Sequence, residues 1–230
     1  MTGYLKRDVA PKSWDLFKKG GTAYVLCHDP GAHSANYGVP TGLVLKHLGH
    51  AKTGREVKKI LNTHNVIIDG RRIKNPKFLL GLMDVLSIPD TKELYRVLLD
   101  YKGRLVLAAA KHEEAGLKPC RITNKTKVKA GKTQLNLFDA RNILVDKDDY
   151  KVGDTVLLEV PSQKISKHLP LEKGARILLY AGKHAGVTGI VEDLKEDKVT
   201  FKHKDKVLQT HKKYAFVIGS EKELPSTKTE

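Results

Sequence analysis

Cysteine, aromatic residues and long apolar runs are all scarce in this chain of 230 residues. Cys27 and Cys120 are too few and too far apart for a disulfide framework or a zinc site, so reduced thiols in a cytoplasmic protein are expected. Aromatics are only 6% of the chain, which predicts small cores of aliphatic and β-branched side chains rather than one large aromatic-rich core; the 40% apolar content still suffices for real cores. No apolar run approaches the length of a bilayer span, and the opening MTGYLKRDVAPKSW has no apolar stretch of the kind an export signal needs. A soluble, non-exported protein is expected.

Catalytic patterns are missing as well. Gly182-Lys183 is followed by His184, whereas a phosphate-binding loop needs Gly-x-x-x-x-Gly-Lys-Ser/Thr after a buried strand. Ser13, Ser34 and Cys27 stand in no nucleophile elbow. Ten histidines invite a metal reading, yet His47 and His50 have no acid or cysteine at ligand spacing, and His64, His168, His203 and His211 are isolated. Glu113-Glu114 reads as a solvated helix face. These patterns predict no catalytic, metal or cofactor site.

What the chain does have is positive charge. The formal net charge is +16, which favours nucleic acid or another polyanion as partner. Lys and Arg outnumber Asp and Glu 18 to 9 up to residue 105, and 24 to 17 beyond it. A basic tail on a neutral enzyme would be lopsided, so several modules are expected to touch the partner.

The most informative stretch is Ala51 to Lys74. Thr53 with Glu56 three residues on is a capping-box signature, so a helix is expected to start at Thr53. Val57, Ile60 and Leu61 form one apolar face, leaving Arg55, Lys58 and Lys59 outward. Val66 to Ile68 reads as a strand, Asp69-Gly70 as a hairpin turn, and Arg71, Arg72 and Lys74 follow it. A helix and hairpin that gather so many cations on one rim suit a phosphate backbone. Just upstream, Pro40 opens another helix, with Lys46 and His47 on its polar side and Gly49 as its stop.

Elsewhere the organisation follows composition. Residues 1–39 carry Lys6, Arg7, Lys12, Lys18, Lys19 and His33 with poor periodicity, so they are expected to be an arm that orders only against a partner. Phe78 to Ile88 reads as one strand, residues 94–108 as a hairpin, and the AAAKHEEAG segment as a short helical piece. Strands are then expected over Cys120–Val128, Gln134–Phe138, Asn142–Val145 and Thr155–Val160, a small barrel or sandwich. Five more, Arg176–Tyr180, Val187–Leu194, Val199–Lys202, Lys206–Gln209 and Tyr214–Ile218, fit a small SH3-like barrel. Within Gly174–Val191 the glycines permit positive φ and close backbone approach, with Lys183 and His184 beside them. This segment resembles the KOW motif of ribosomal proteins and transcription-elongation factors.

Residues 40–105 resemble the S-four-type RNA-binding domain. The likeness then extends along nearly the whole chain. Leu5-Lys6-Arg7, Ala10-Pro11-Lys12-Ser13-Trp14 and Gly31-Ala32-His33 resemble the arm of the archaeal–eukaryotic fourth small-subunit ribosomal protein family, with Ala32 where that family has proline. Thr53 to Ile60, Ile68 to Arg71, Gly81 to Ile88, Asp139 to Ile143 and Phe216 to Gly219 resemble its later segments. The stop eleven residues after Gly219 is similar to archaeal forms.

That resemblance implies a structural constituent of the small ribosomal subunit that binds and organises small-subunit rRNA beside neighbouring subunit proteins. It implies no enzyme activity, membrane or small-molecule substrate, and a place in cytoplasmic ribosomes. The expected fold class is α+β, with an arm (1–39), an S-four-type domain (40–105), a central β-rich domain (106–170), a KOW-type barrel (171–219) and a tail (220–230). The RNA-binding residues expected are Lys6, Arg7, Lys12, Lys18, Lys19, His33, Lys46, His47, Arg55, Lys58, Lys59, Arg71, Arg72, Lys74, Lys183 and His184. One rival is a dissociable KOW-type transcription or translation factor. Another is an RNA-modifying enzyme such as a pseudouridine synthase, but Gly103-Arg104-Leu105 is followed by Val106 rather than the aspartate such enzymes use.

Overall fold

Residues 4–16, 23–128, 131–146, 148–204 and 206–219 are described by the structure, a computed structural model. Lys18, Lys19 and the tail at 220–230 lie outside them. The chain divides into two units, Met1–Leu98 with Arg104–His112, and Leu99–Gly103 with Glu113–Glu230. Among the described residues two α-helices stand among many strands, so the α+β expectation holds with a strong lean towards β.

In the first unit, β1 (Tyr4–Lys6) pairs antiparallel with β2 (Tyr24–Leu26). A single 3-10 turn, Arg7–Val9, follows β1. The alternation of the ribbon sends Leu5 and Val25 inward, where they join Ala10, Trp14, Leu16, Val39 and Leu43 in a small core. Trp14 is only 3% exposed, and its indole N–H donates to the carbonyls of Ala35 (2.9 Å) and Gly38 (2.7 Å). The expectation of an arm without a core is therefore corrected for the described residues. Its contacts are long-range, and no local periodicity announces them.

Next, β3 (Gly38–Pro40) pairs with β6 (Leu79–Gly81). Helix α1 (Thr41–His47) follows Pro40 and ends at Leu48. Gly49, at φ 81°, takes the left-handed position beyond it, donating to Lys46 O (3.1 Å) while His50 donates to Leu45 O (3.1 Å). This pair of bonds is the Schellman ending that glycine favours. Helix α2 (Gly54–Thr63) begins with the expected capping box. The Glu56 N–H reaches Thr53 Oγ1 at 3.3 Å, and the Glu56 carboxylate accepts from the backbone of Lys52 (2.7 Å) and Thr53 (3.3 Å). Val57 and Leu61 are buried, while Arg55, Lys58 and Lys59 are exposed.

The hairpin of β4 (Ile67–Ile68) and β5 (Arg71–Arg72) turns at Asp69 (φ 48°) and Gly70 (φ 74°), the two left-handed residues of a type I′ turn. It belongs to a five-stranded sheet ordered β5-β4-β7-β8-β9, with β7 Val85–Ile88, β8 Glu93–Leu99 and β9 Leu105–Ala109. Phe78 to Ile88 is thus two strands, not the expected one. The break is at Met83, whose φ of 68° turns the chain, and Asp84 N–H donates back to Gly81 O at 3.1 Å. The helical piece expected from AAAKHEEAG is also corrected. Ala108 and Ala109 complete β9, and only the 3-10 turn His112–Glu114 remains helical.

The second unit holds two five-stranded antiparallel sheets. One is ordered β12-β11-β10-β13-β14, from β10 (Leu117–Lys127), β11 (Thr133–Leu137), β12 (Asn142–Val145), β13 (Thr155–Glu159) and β14 (Ile165–Leu169). Cys120, Ile122, Leu135, Leu137, Val156 and Leu158 form its aliphatic core. The other is ordered β18-β17-β16-β15-β19, from β15 (Arg176–Leu179), β16 (Thr188–Leu194), β17 (Lys198–His203), β18 (Lys206–His211) and β19 (Ala215–Gly219). Phe201, Ile177, Leu179, Val191, Val199 and Val217 are buried within it. Strand β14, unforeseen in the sequence, is an edge strand of mixed exposure (ISKHL), so it lacks a clean period-two signature. Buried Arg121 of β10 donates to Ala215 O of β19 at 2.9 Å and lies over the Tyr180 ring, which joins the two sheets. Burial pushes its guanidinium below the usual arginine range.

Two outcomes follow from these contacts. Trp14→Ala removes the centre of the N-terminal core and is expected to cost about 3–5 kcal/mol; a circular-dichroism denaturation curve with an unshifted midpoint would refute that core. The backbone N–H of Lys52, then Thr53, holds the Glu56 carboxyl below its ordinary value of 4.5. A depressed folded value stabilises above the ordinary value, and the gain is lost as pH falls through the folded one. Glu56→Gln should therefore melt below the wild type at neutral pH, and the two melting temperatures should converge in acid.

Candidate nucleic-acid interface

The site grows from the capping box upward. Once Thr53 starts α2 and Val57 and Leu61 turn inward, helical geometry at about 100° per residue places Arg55, Lys58 and Lys59 within one outward stripe. Asn62, seven residues after Arg55, continues that stripe. There the Arg72 guanidinium donates to Asn62 O at 3.1 Å, so the hairpin is tied to the end of the helix. Arg71, Arg72 and Lys74 are exposed. The tight Asp69-Gly70 turn holds this edge in place, because Asp69 Oδ1 accepts the Val85 N–H at 3.0 Å. Of the hairpin cations expected from the sequence, Arg72 is thus placed at the C-terminal end of the helix that carries Arg55, Lys58 and Lys59.

Glu56 is the one acid in α2. Its carboxylate is bound to backbone N–H groups at the helix start, where a negative charge favours the helix dipole. Lys46 and His47 are exposed at the end of α1, where cations also favour the helix dipole. Lys6 and Lys12 are exposed, and Arg7 is half-buried.

His33 has a different environment. Its side chain is 1% exposed, and Nε2 lies 3.0 Å from Asp84 Oδ1. The ring fills space left by Gly81, where an added Cβ would sit 2.1 Å from His33 Cγ. Burial therefore takes His33 out of the set of side chains offered to a partner. The residues Gly31–His33 and Gly81–Ile88, quoted above as separate likenesses, meet here through one buried pair.

In the second unit, Lys183 is exposed and His184 is half-buried, its ring edge-on to Phe201 at 6.5 Å. Gly182 (φ 88°) and Gly186 (φ 83°) take left-handed conformations, as the sequence suggested. Their close approaches, however, are to the chain itself. A Cβ on Gly186 would lie 1.9 Å from Asp100 O, and one on Gly182 would lie 3.2 Å from the Tyr214 ring. The glycines pack the loop, and Lys183 is what it presents outward.

The two cysteines and the acids near them have structural surroundings where the structure describes them. Cys120 is buried beside Asp139, and burial first, then that carboxylate, pushes its thiol well up, which keeps it protonated and inert. Asp139 is engaged by Lys118 Nζ (3.0 Å) and Arg141 Nε (3.3 Å). Among the described residues no group of three or more His, Cys, Asp or Glu side chains converges on a metal position. Sequence reasoning missed Tyr4 and Tyr24, two exposed aromatics beside Lys6; only their pairing across β1 and β2 brings them together, and that pairing has no local signal.

Known proteins resemble the chain throughout. The model of "Ribosomal family S4e" matches residues 91–165. Small ribosomal subunit protein eS4 of Methanosphaera stadtmanae is 40% identical over 97% of this chain and 95% of its own length. The protein of the same name from Methanocaldococcus jannaschii is 39% identical, covering 96% of each. The crystal structure of 30S ribosomal protein S4e from Thermoplasma acidophilum superposes with a TM-score of 0.69 at 29% identity, over 80% of this chain and 95% of that one. With such identity to relatives matched almost end to end, the chain belongs to the S4e family of ribosomal proteins.

Proposed function

We infer that this protein is a structural constituent of the small ribosomal subunit, where it binds and organises small-subunit rRNA among neighbouring ribosomal proteins. It works in the cytoplasm within the ribosome and catalyses no reaction. The observation that carries the RNA contact is the cationic stripe of α2, which runs without an opposing free carboxylate onto the β4–β5 hairpin. Lysine and arginine on such a rim displace the counterions condensed on phosphates, while the folded modules fix the register of the contacts. Recognition is mainly of RNA shape, because an A-form helix hides its major groove.

The contact residues in this reading are Arg55, Lys58, Lys59, Arg71, Arg72 and Lys74 on the rim. Lys46 and His47 lie beside it, with Lys6, Arg7 and Lys12 in the N-terminal segment and Lys183 and His184 in the loop after β15. The domain layout within this reading has an N-terminal RNA-binding segment (1–39), an S-four-type domain (40–105), a central β-rich domain (106–170), a KOW-type barrel (171–219) and a tail (220–230). Support for the second comes from its helix-turn-hairpin. The fourth is supported by five short antiparallel strands with left-handed glycines in the loop after β15. The relatives' names favour neither a dissociable factor nor an RNA-modifying enzyme.

Reversing Lys58 and Lys59 to glutamate should weaken rRNA binding and reduce the slope of log affinity against log salt by about one unit per lysine. Folding should survive, because both side chains are exposed. An unchanged slope in a folded variant would remove these lysines from the interface. In a sucrose gradient of native lysate at about half-molar salt, the protein should sediment stoichiometrically with the small subunit, since loosely held factors lose phosphate contacts at that ionic strength. Recovery only at the top of the gradient would contradict an integral role.

A further inference from the structure

The outer face of the β1–β2 ribbon is unusual. Leu5 and Val25 pack inward, so the alternating positions Tyr4, Lys6 and Tyr24 share the opposite face. Such a face is ordinarily polar. Here Tyr4 is 70% exposed and Tyr24 57% exposed, with their rings edge-to-face at 6.4 Å and an interplanar angle of 61°. In an edge-to-face pair one ring keeps a face open to a stacking partner.

These tyrosines stand at a cavity of about 1560 Å³ that lies wholly within the first unit. Its apolar lining includes Leu43 and Val44 of α1, and its cations include Lys46 of α1 and Arg55 and Lys58 of α2. Among the described residues the one acid on its walls, Asp15, is paired with Arg104 at 2.8 Å. The walls therefore combine positive charge with flat aromatic surface, the chemistry that holds a polynucleotide strand with exposed bases. The volume exceeds the roughly 300–1,000 Å³ of a small-molecule pocket. A paired RNA helix has its bases already stacked inside and offers none to a tyrosine.

We propose that this cavity takes unpaired nucleotides of RNA, with bases stacked on Tyr4 and Tyr24 and phosphates met by Lys46, Arg55 and Lys58. The inference rests on the rRNA-binding reading and adds to it a single-stranded site distinct from shape recognition of duplex. An acidic protein segment would satisfy the lysines but would leave the aromatic faces without a use.

The test uses the full chain and two labelled probes, a short oligouridylate and a fully paired RNA hairpin, followed by fluorescence anisotropy. Replacing both tyrosines with alanine should lower oligouridylate affinity by about tenfold or more, because each stacked base is a large contribution. Tyr4→Phe with Tyr24→Phe should retain it, since the ring face is kept. Hairpin affinity should be unchanged in both variants, and circular dichroism should report an intact fold, as the rings are exposed. Undiminished oligouridylate binding by the alanine variant would overturn the proposal, as would displacement of the oligouridylate by polyglutamate at matching affinity. A wild type that binds the hairpin but not the oligouridylate would sink the cavity proposal and leave the ribosomal reading standing. Failure to bind either probe would overturn the cavity proposal and, with it, the reading of the rim as a general phosphate-binding surface.

Discussion

A carboxylate held away from water organises the first unit. Asp84 is buried in the turn between β6 and β7, where it accepts the Gly81 N–H at 2.8 Å and faces His33 at 3.0 Å. A buried charge needs such partners, and removing one is far costlier than the pair is worth as a net gain. The geometry then propagates. Admitting the His33 ring requires glycine at 81, and Gly38, opposite Gly81 in the β3–β6 ladder, would also crowd His33 if it bore a side chain. The same ring sits beside β3, which leads into α1 and whose Gly38 O accepts the Trp14 indole N–H.

The same economy of charge recurs in the second unit. Asp139 lies against Lys118 and Arg141, and Asp154 against His168 at 2.8 Å while also accepting the Leu171 N–H at 3.0 Å. Several of the chain's acids are thus committed inside, each to a cation, a histidine or the backbone. The cations that remain outside give the surface its sign. Among the described residues the buried acids Asp84, Asp139 and Asp154 are matched in number by the buried cations Arg96, Lys118 and Arg121, so the excess of +16 is left to the rest of the chain.

Legibility from sequence tracks the range of the interactions. The α2 start and the β4–β5 turn depend on residues within four positions of one another, so Thr53, Glu56, Asp69 and Gly70 could be read directly. Most of the later strands were equally readable from alternation between turn residues. The N-terminal core was not, because Trp14 finds its acceptors 21 and 24 residues away and Tyr4 its neighbour across a ribbon. Met83 and β14 escaped for other reasons. A left-handed non-glycine residue leaves no compositional mark, and an edge strand with one buried residue has little pattern to show. The cationic rim was legible as charge, whereas the burial of His33 required knowing that Asp84 lies opposite.

The capping box of α2 also links foldability to the interface. Glu56 begins the helix on which the rim is displayed, and its negative charge sits among side chains meant for phosphate. Both requirements are met because the carboxylate folds back onto the backbone amides of Lys52 and Thr53. Shortening that side chain by one methylene would unseat the cap and at the same time free an anion beside Arg55. A side chain long enough to reach back to those amides is what lets the cap and the basic rim share one helix.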